Sequence, residues 1–321
     1  MTDVAVVGGG ISGVACAAAL ARAGLSVDLL DKGHRLGGRL AAQTLRDTGT
    51  PYDGRLVDVG ASYFVADDPG FAAVVDDWLE RGLARRWTDT FHLADASGLH
   101  GTKTGPWRFA APRGLRSLVE DLAAQLPSDL VAIAHPRDVE SVQTSDDGVR
   151  VDGRDYRAVA LCGPDPQMDR LVPDPQSPMW EPVMALTVVM AERDWVDLDG
   201  AFVNDDAVLT FIADDGRRRG DDAPVLVAHS GPVFAAGHLD EPMTAAPMML
   251  AALERILGIG NPDWFSVKRW TYARPAFARL DEFGLEGRIG RAGDAWCGEP
   301  RTQSAWISGN ALGQALAAEL A

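Results

Sequence analysis

The stretch from Asp3 to Asp31 limits what this chain can fold into more than any other. Val4-Ala5-Val6-Val7 has the length and branched content of a buried parallel strand. It leads straight into Gly8-Gly9-Gly10-Ile11-Ser12-Gly13, where Gly8, Gly10 and Gly13 fit G-x-G-x-x-G. In that pattern the first glycine permits a tight turn, the second a close approach of backbone to a pyrophosphate, and the third close helix–strand packing. An alanine-rich helix pattern follows, with Gly24 placed to stop it, and Ser26 to Leu30 reads as a second strand. Asp31 ends that strand about 20 residues past the glycines, where a carboxylate accepts hydrogen bonds from an adenosine ribose. Strand, loop, helix, strand and acid in this order predict a dinucleotide site. Ile11, Ser12 and Gly13 open a helix whose free N–H groups and positive dipole end suit phosphate. Asp31 would repel a 2′-phosphate, which points away from NADP.

At 321 residues the chain can form one large or two intertwined domains. Its 46% hydrophobic and 24% charged residues are an ordinary globular balance with enough apolar material for a sizeable core. A net charge of -16 argues against nucleic acid or an anionic membrane as partner, because both need a basic face. Lysine occurs only as Lys32, Lys103 and Lys268, so nearly all positive charge is arginine. Cys16, Cys162 and Cys297 are odd in number and lack metal-ligand spacing. No metal site and no disulfide framework is expected, and a reducing cytoplasm is the expected location. The apolar start lacks a basic n-region, and no segment approaches the ~20 apolar residues of a membrane span.

Further along, Lys32 and the Gly37-Gly38-Arg39 loop suit a segment folding over the dinucleotide. The glycines let backbone approach closely and Arg39 can neutralise a pyrophosphate. Leu56 to Phe64 reads as a short strand ending in Gly60-Ala61-Ser62, with Asp58 placed to fix the turn. Apolar spacing predicts helices over 71–86, 115–126, 243–257 and 305–320, with Trp78 on an inner face. Residues 87–100 read as irregular, short strands. Strands are also expected at 131–133, 139–142, 148–151 and 156–162. Six prolines from Pro164 to Pro182 mark a crossing between domains. Beyond it come a strong strand at 184–190, a hairpin pair at 208–213 and 225–230, and a strand at 267–272. The mixed-sign run Asp214 to Asp222, DDGRRRGDD, reads as a solvated loop. A short strand ends in Gly293-Asp294. Gly258 to Pro262 lacks a third glycine, so there is a single nucleotide fingerprint.

Together these segments resemble the flavin-dependent amine oxidase superfamily. The motifs that carry the likeness are GGGISG, the GGR of Gly37–Arg39, DVGAS at Asp58–Ser62 and the GD of Gly293–Asp294. Within it the chain is most similar to the renalase-like group, over nearly its whole length. Asp58-Val-Gly-Ala-Ser-Tyr63, Ala111-Pro-Arg-Gly-Leu115, Leu226-Val-Ala-His229 and Lys268-Arg-Trp-Thr-Tyr-Ala273 carry that finer likeness. Lys268 stands where the group has histidine, and Ser62 where it has glutamine.

The resemblance implies a mixed α/β fold of the p-hydroxybenzoate hydroxylase and amine oxidase kind. A Rossmann-type FAD-binding domain (1–70, 101–165 and 277–321) is interleaved with a β-sheet substrate domain (71–100 and 166–276). It implies non-covalent FAD, with Arg39 at the pyrophosphate, Asp294 at the ribityl or pyrophosphate region, and the backbone of Ala305 and Trp306 at the flavin. Cys297 is then a bystander. The implied reaction is oxidation of 2- or 6-dihydro isomers of NAD(P) by hydride transfer to flavin N5, with oxygen as acceptor and hydrogen peroxide as product. Such a step needs the donor carbon close to N5 and a fixed positive potential, but no essential general base. His229, Trp270, Tyr272 and Trp296 are the candidates on the substrate side, His229 and Trp270 being equally compatible with structural roles. Two alternatives stay open. One is an amine oxidase or desaturase of the same fold, with Lys268 as its lysine; the other is a non-catalytic flavin-binding redox sensor.

Overall fold

The structure is a computed structural model and describes residues 2–145 and 148–321. Among the described residues two large sheets carry the architecture. The first has the strand order Gly284–Glu286, Ile289–Arg291, Ala158–Leu161, Val4–Val7, Val27–Leu30, Val131–Ala134. Its neighbours pair in parallel except for the first two. Every residue of Val4–Val7, Val27–Leu30 and Ala158–Leu161 is buried. Such continuous apolar runs are what a parallel sheet covered on both faces requires. Val4, Val6, Val27 and Leu29 meet the core formed with helices Ile11–Arg22, Pro69–Glu80, Arg116–Ala124 and Thr302–Leu320. Ala5, Val7 and Leu30 face the other way, onto Val139, Val149, Val151 and Tyr156.

The second sheet runs Trp264–Pro275, Trp180–Val189, Val225–Ser230, Leu209–Asp214, Gly200–Val203, Arg85–Asp95, Gly98–Ala110. It is antiparallel apart from the pairing of Gly200–Val203 with Arg85–Asp95. Period-two alternation divides its side chains. Met184, Leu186, Val188, Ile212, Leu226 and Ala228 pack beneath helix Ala246–Leu257. Ala185, Val189, Val225 and Val227 face inward, onto Leu45, Val57 and Val59. The inward face therefore looks toward Gly60-Ala61-Ser62, the second glycine turn of the site.

Three local expectations change. Residues 87–100 belong to a long hairpin of Arg85–Asp95 with Gly98–Ala110, because bulges interrupt the alternation that a sequence pattern relies on. The helix expected over 71–86 stops at Glu80, and Arg85 begins the hairpin. The run 214–222 is not a solvated loop. Asp214 caps a short helix, Asp215–Arg219, and Gly220 ends it in a left-handed conformation. Asp215 and Arg218 are fully buried. Their charges survive burial because each is paired: Asp215 meets Arg218 at 2.5 Å, and Arg55 and Arg219 at 3.0 Å. Sheet membership also bears on the division of the chain. Strand Gly98–Ala110 lies in the larger sheet, and helix Pro69–Glu80 buries Phe71, Val75 and Trp78 against the smaller one. We propose that the larger-sheet unit begins near Arg85 and keeps residues 101–110. No helix of the described residues is long and apolar enough to cross a membrane.

Candidate dinucleotide site and the face opposite it

The glycines of the first loop differ in what they do. Gly8 has a φ of 112°, and a Cβ there would sit 2.4 Å from the carbonyl oxygen of Cys162. A Cβ on Gly13 would lie 1.8 Å from the oxygen of Gly8, so the helix can start only if residue 13 is glycine. Gly10 is unlike both: its φ is -77° and a Cβ there would meet nothing within 4 Å. Ile11 is buried, and Ser12 Oγ is buried without a hydrogen-bond partner.

Asp31 holds this loop from below. One carboxylate oxygen accepts from the N–H of Gly9 at 2.5 Å, the other from that of Gly33 at 2.7 Å. A carboxylate has about four acceptor positions, so it can still receive a sugar hydroxyl. Lys32 beside it is exposed. Gly37 donates to the Gly9 carbonyl at 2.9 Å, and Gly38 lies against Gly10. The turn Gly38–Leu40 then meets the second glycine turn, with Ala61 N–H donating to the carbonyl of Arg39 at 2.9 Å. A Cβ on Gly60 would come within 2.0 Å of that same oxygen. Ser62 Oγ is buried and unpartnered.

Arg39 and Asp294 meet each other. Two bonds of 2.6 Å join the guanidinium to the carboxylate. Arg39 also donates to the Ala273 carbonyl and lies 4.8 Å from the Trp180 ring centroid. Gly293 N–H donates to Ser308 Oγ at 3.1 Å, tying the Gly-Asp turn to the last helix. That helix begins at Thr302, three residues before the predicted start. Ala305 N–H is already bonded to the Arg301 carbonyl, so the free N–H groups belong to the turn before it, and Trp306 lies deeper in the helix. The helix comes this close because Gly309 and Gly313 have no side chains: Cβ atoms there would lie 2.0 Å and 2.6 Å from the oxygens of Ser12 and Cys16. The fourteen residues from Ile11 to Gly24 suggested one helix; the glycines that let a second cross it gave no separate signal.

Opposite this rim stands the larger sheet. Trp270 Nε1 donates to the Val59 carbonyl at 2.7 Å, and its ring edge lies against Gly60. Phe211, His229, Ala185 and Lys268 are successive cross-strand neighbours, so their side chains share the inward face. His229 Nε2 is buried without a partner. Burial, and then the charge of Arg218, lower its pKa to about 4, so the imidazole is neutral at pH 7. Phe211 continues the face to Tyr63, Phe91 and Phe202 at centroid distances of 6.0, 5.3 and 5.7 Å. Tyr272 is half-buried next to Ala273 on the strand that holds Arg39. Trp296 does not join this group; it packs on Gly284, with the Arg279 guanidinium 4.4 Å above its ring. Cys297 is half-buried, with its thiol directed at the carbonyls of Glu282 and Ser304 and its pKa pushed up to about 11 by burial.

Arg218 was missed by sequence reasoning. It donates to the carbonyls of Asp58 and Ser62 at 3.0 and 3.1 Å, and so fixes the second glycine turn from the larger sheet. Burial raises the pKa of Asp58, which accepts from Leu115 N–H at 2.9 Å and from Arg219 at 3.2 Å. Burial would also raise Asp215, but Arg219, Arg218 and Arg55 bring it down to about 2.

The family described as "NAD(P)-binding Rossmann-like domain" matches residues 6–78. Over nearly the full length, the chain superimposes on cyclohexylamine oxidase from Brevibacterium oxydans IH-35A, with TM-score 0.75 and 15% identity over 99% of each chain. Putrescine oxidase gives a TM-score of 0.72 at 18% identity, covering 99% of this chain and 98% of that one. The chain shares the fold of these two amine oxidases. A protein provisionally assigned as a protoporphyrinogen oxidase, from Exiguobacterium sp. 255-15, shares it with TM-score 0.79 and 18% identity over 99% of each chain. In the amine oxidase fold of this chain, the Rossmann rim and the inward face of the larger sheet meet at Gly60 and Trp270.

Proposed function

We propose that this protein is an FAD-dependent oxidoreductase of renalase-like type, oxidising isomeric dihydronicotinamide dinucleotides with oxygen as final acceptor. Gly10 carries the cofactor part of this reading. Its backbone angle is open to any residue and nothing in the chain crowds it, so close approach of a bound pyrophosphate is the remaining reason for glycine there. The unpartnered Ser12 and Ser62 hydroxyls suit polar ligand atoms. Asp31 would hold the adenosine ribose, Arg39 the pyrophosphate and Asp294 the ribityl side. When bound, FAD would supply a two-electron acceptor, and oxygen would take the two electrons on, being reduced to hydrogen peroxide.

The remaining roles fall to the protein. The first turn of Thr302–Leu320 would offer N–H donors to the negative charge that develops on a flavin bound there. Tyr63, Phe211 and His229 present an aromatic, uncharged surface that suits a planar dihydropyridine and keeps water from it. Because hydride leaves the substrate without a proton, neutral His229 would orient the ring and not act as base.

A second reading, an amine oxidase or desaturase, is favoured by Lys268. Its amino group is exposed, 6.0 Å from the Trp270 ring centroid, on the row that includes His229. Anaerobic stopped-flow of the flavin-loaded protein decides between them. Rapid bleaching by 2- or 6-dihydronicotinamide dinucleotides, and not by amines or ordinary NADH, is expected. Bleaching by amines alone would replace the first reading with the second. In a parallel aerobic assay, peroxide production no faster than free FAD with every reductant would leave a non-catalytic flavin sensor.

A further inference from the structure

Arg108 enters no ion pair among the described residues, yet it is only 5% exposed. Its position follows from a fault in the hairpin register. Thr88 opposes Arg108, but Thr90 opposes Thr104, so Gly105-Pro106-Trp107 bulge outward across from Asp89. Proline offers no ladder donor, and the bulge leaves the Asp89 carbonyl for Arg108 Nη1, at 2.6 Å. Bulges of this kind re-aim side chains. Here the guanidinium is turned onto the inward face, 4.2 Å from the Phe91 ring centroid and 5.7 Å from those of Tyr63 and Phe202. Phe211 connects these rings to His229, at 6.3 Å. The bond to Asp89 is the only hydrogen bond that the Arg108 side chain makes among the described residues. A guanidinium has five N–H donors, so most of its capacity is uncommitted.

A cation held mostly out of water without a counter-charge is unfavourable, and stacking on aromatic rings offsets that only in part, while its unpaired nitrogens keep some contact with solvent, from which a ligand can reach them. A bound oxyanion would supply the missing partner, in a two-pronged geometry that arginine is shaped for. We propose that Arg108 is an oxyanion subsite, taking a phosphate or carboxylate group carried by a planar substrate that lies along Tyr63, Phe211 and His229. The proposal rests on the reading of this face as the substrate face; in a dihydronicotinamide dinucleotide the group is the pyrophosphate.

The test compares flavin-loaded wild type, R108Q and R108K, reduced anaerobically by an isomeric dihydronicotinamide dinucleotide and by its uncharged N-benzyl analogue. In R108Q the ratio of kcat/KM for the anionic over the neutral reductant should fall about ten- to a hundredfold, mainly through KM, with R108K recovering part of it. Calorimetric titration with inorganic pyrophosphate and with benzoate needs no turnover and separates the two oxyanion sources. Wild type should bind at least one of them, and R108Q neither. An unchanged ratio, with equal anion affinity in all three proteins, overturns the subsite while leaving the proposed reaction intact. If neither reductant bleaches the flavin but anion binding is lost in R108Q, the subsite stands and the reaction does not. Should R108Q fail to fold, R108K and pyrophosphate competition in wild type decide: failure to compete against the anionic reductant overturns the subsite.

Discussion

His229 shows how one buried ring couples the fold to pH. The unfolded side chain titrates near 6.5 and the folded one at about 4, so the unfolded chain binds more protons between those values. The stabilising contribution is complete above pH 6.5 and is lost as pH falls through the window. Between pH 7 and pH 5 the loss is about 2 kcal/mol. H229Q should flatten that slope, read as urea midpoints at the two pH values; parallel slopes in the two proteins would mean that the imidazole is not buried neutral. Asp31 makes a second residue-scale prediction. D31A removes the acceptor shared by Gly9 and Gly33, which should cost about 1 to 3 kcal/mol. On the proposed reading it also weakens flavin retention through desalting. Unchanged retention counts against the ribose role, whereas unchanged stability counts against the bridging role. Gly8 and Gly13 were legible in the sequence because each meets a backbone constraint that only glycine satisfies, whereas Gly10 and Asp31 were legible only through the spacing of the motif. Arg218 was not, since a mixed-sign run looks like a solvated surface and carries no sign of the carbonyls of Asp58 and Ser62 that the fold brings to it.

At the scale of elements, the helix Asp215–Arg219 works as a buried strut. Its acid is held by three arginines, and its Arg218 reaches the carbonyls of Asp58 and Ser62. D215N leaves buried Arg218 without its counter-charge, removes one of two carboxylates from Arg55 and Arg219, and should destabilise by about 3 to 5 kcal/mol, measured by denaturant unfolding at neutral pH. A loss under 1 kcal/mol would show that water reaches the cluster and screens it. The depressed Asp215 pKa also sets a direction: its contribution is present above the unfolded value of 3.8 and disappears as pH drops toward 2. Helix packing gives another outcome. G309V places a side chain where a single Cβ already meets Ser12 O at 2.0 Å, so the last helix must move off the first. Because Ser308 on that helix holds Gly293, flavin retention should fall along with stability. Elements with steady apolar periods were readable, as Val4–Val7 and Ala246–Leu257 show. The hairpin from Arg85 to Ala110 was not, because its bulges break the period and its outer strand is exposed.

In the whole molecule, the two sheets are joined where the second glycine turn is gripped from the larger sheet by two independent hands. Trp270 bonds the carbonyl of Val59, and Arg218 bonds those of Asp58 and Ser62. Both lie on one short turn, which in turn bonds Arg39 through Ala61. The position of the inward face over the Rossmann rim therefore depends on the pair and not on either alone. A double-mutant cycle with W270F and R218M should show this. Residues that share one backbone segment couple by about 0.5 to 3 kcal/mol, whereas sites acting separately add within about 0.5 kcal/mol. Here the double variant should be destabilised by less than the sum of the single ones, since releasing the turn at one end already frees it at the other. Strict additivity would mean that each grip stabilises only its own neighbourhood. The sheets would then be held together by the apolar contacts of Leu45, Val57 and Val59 with Ala185 and Val227.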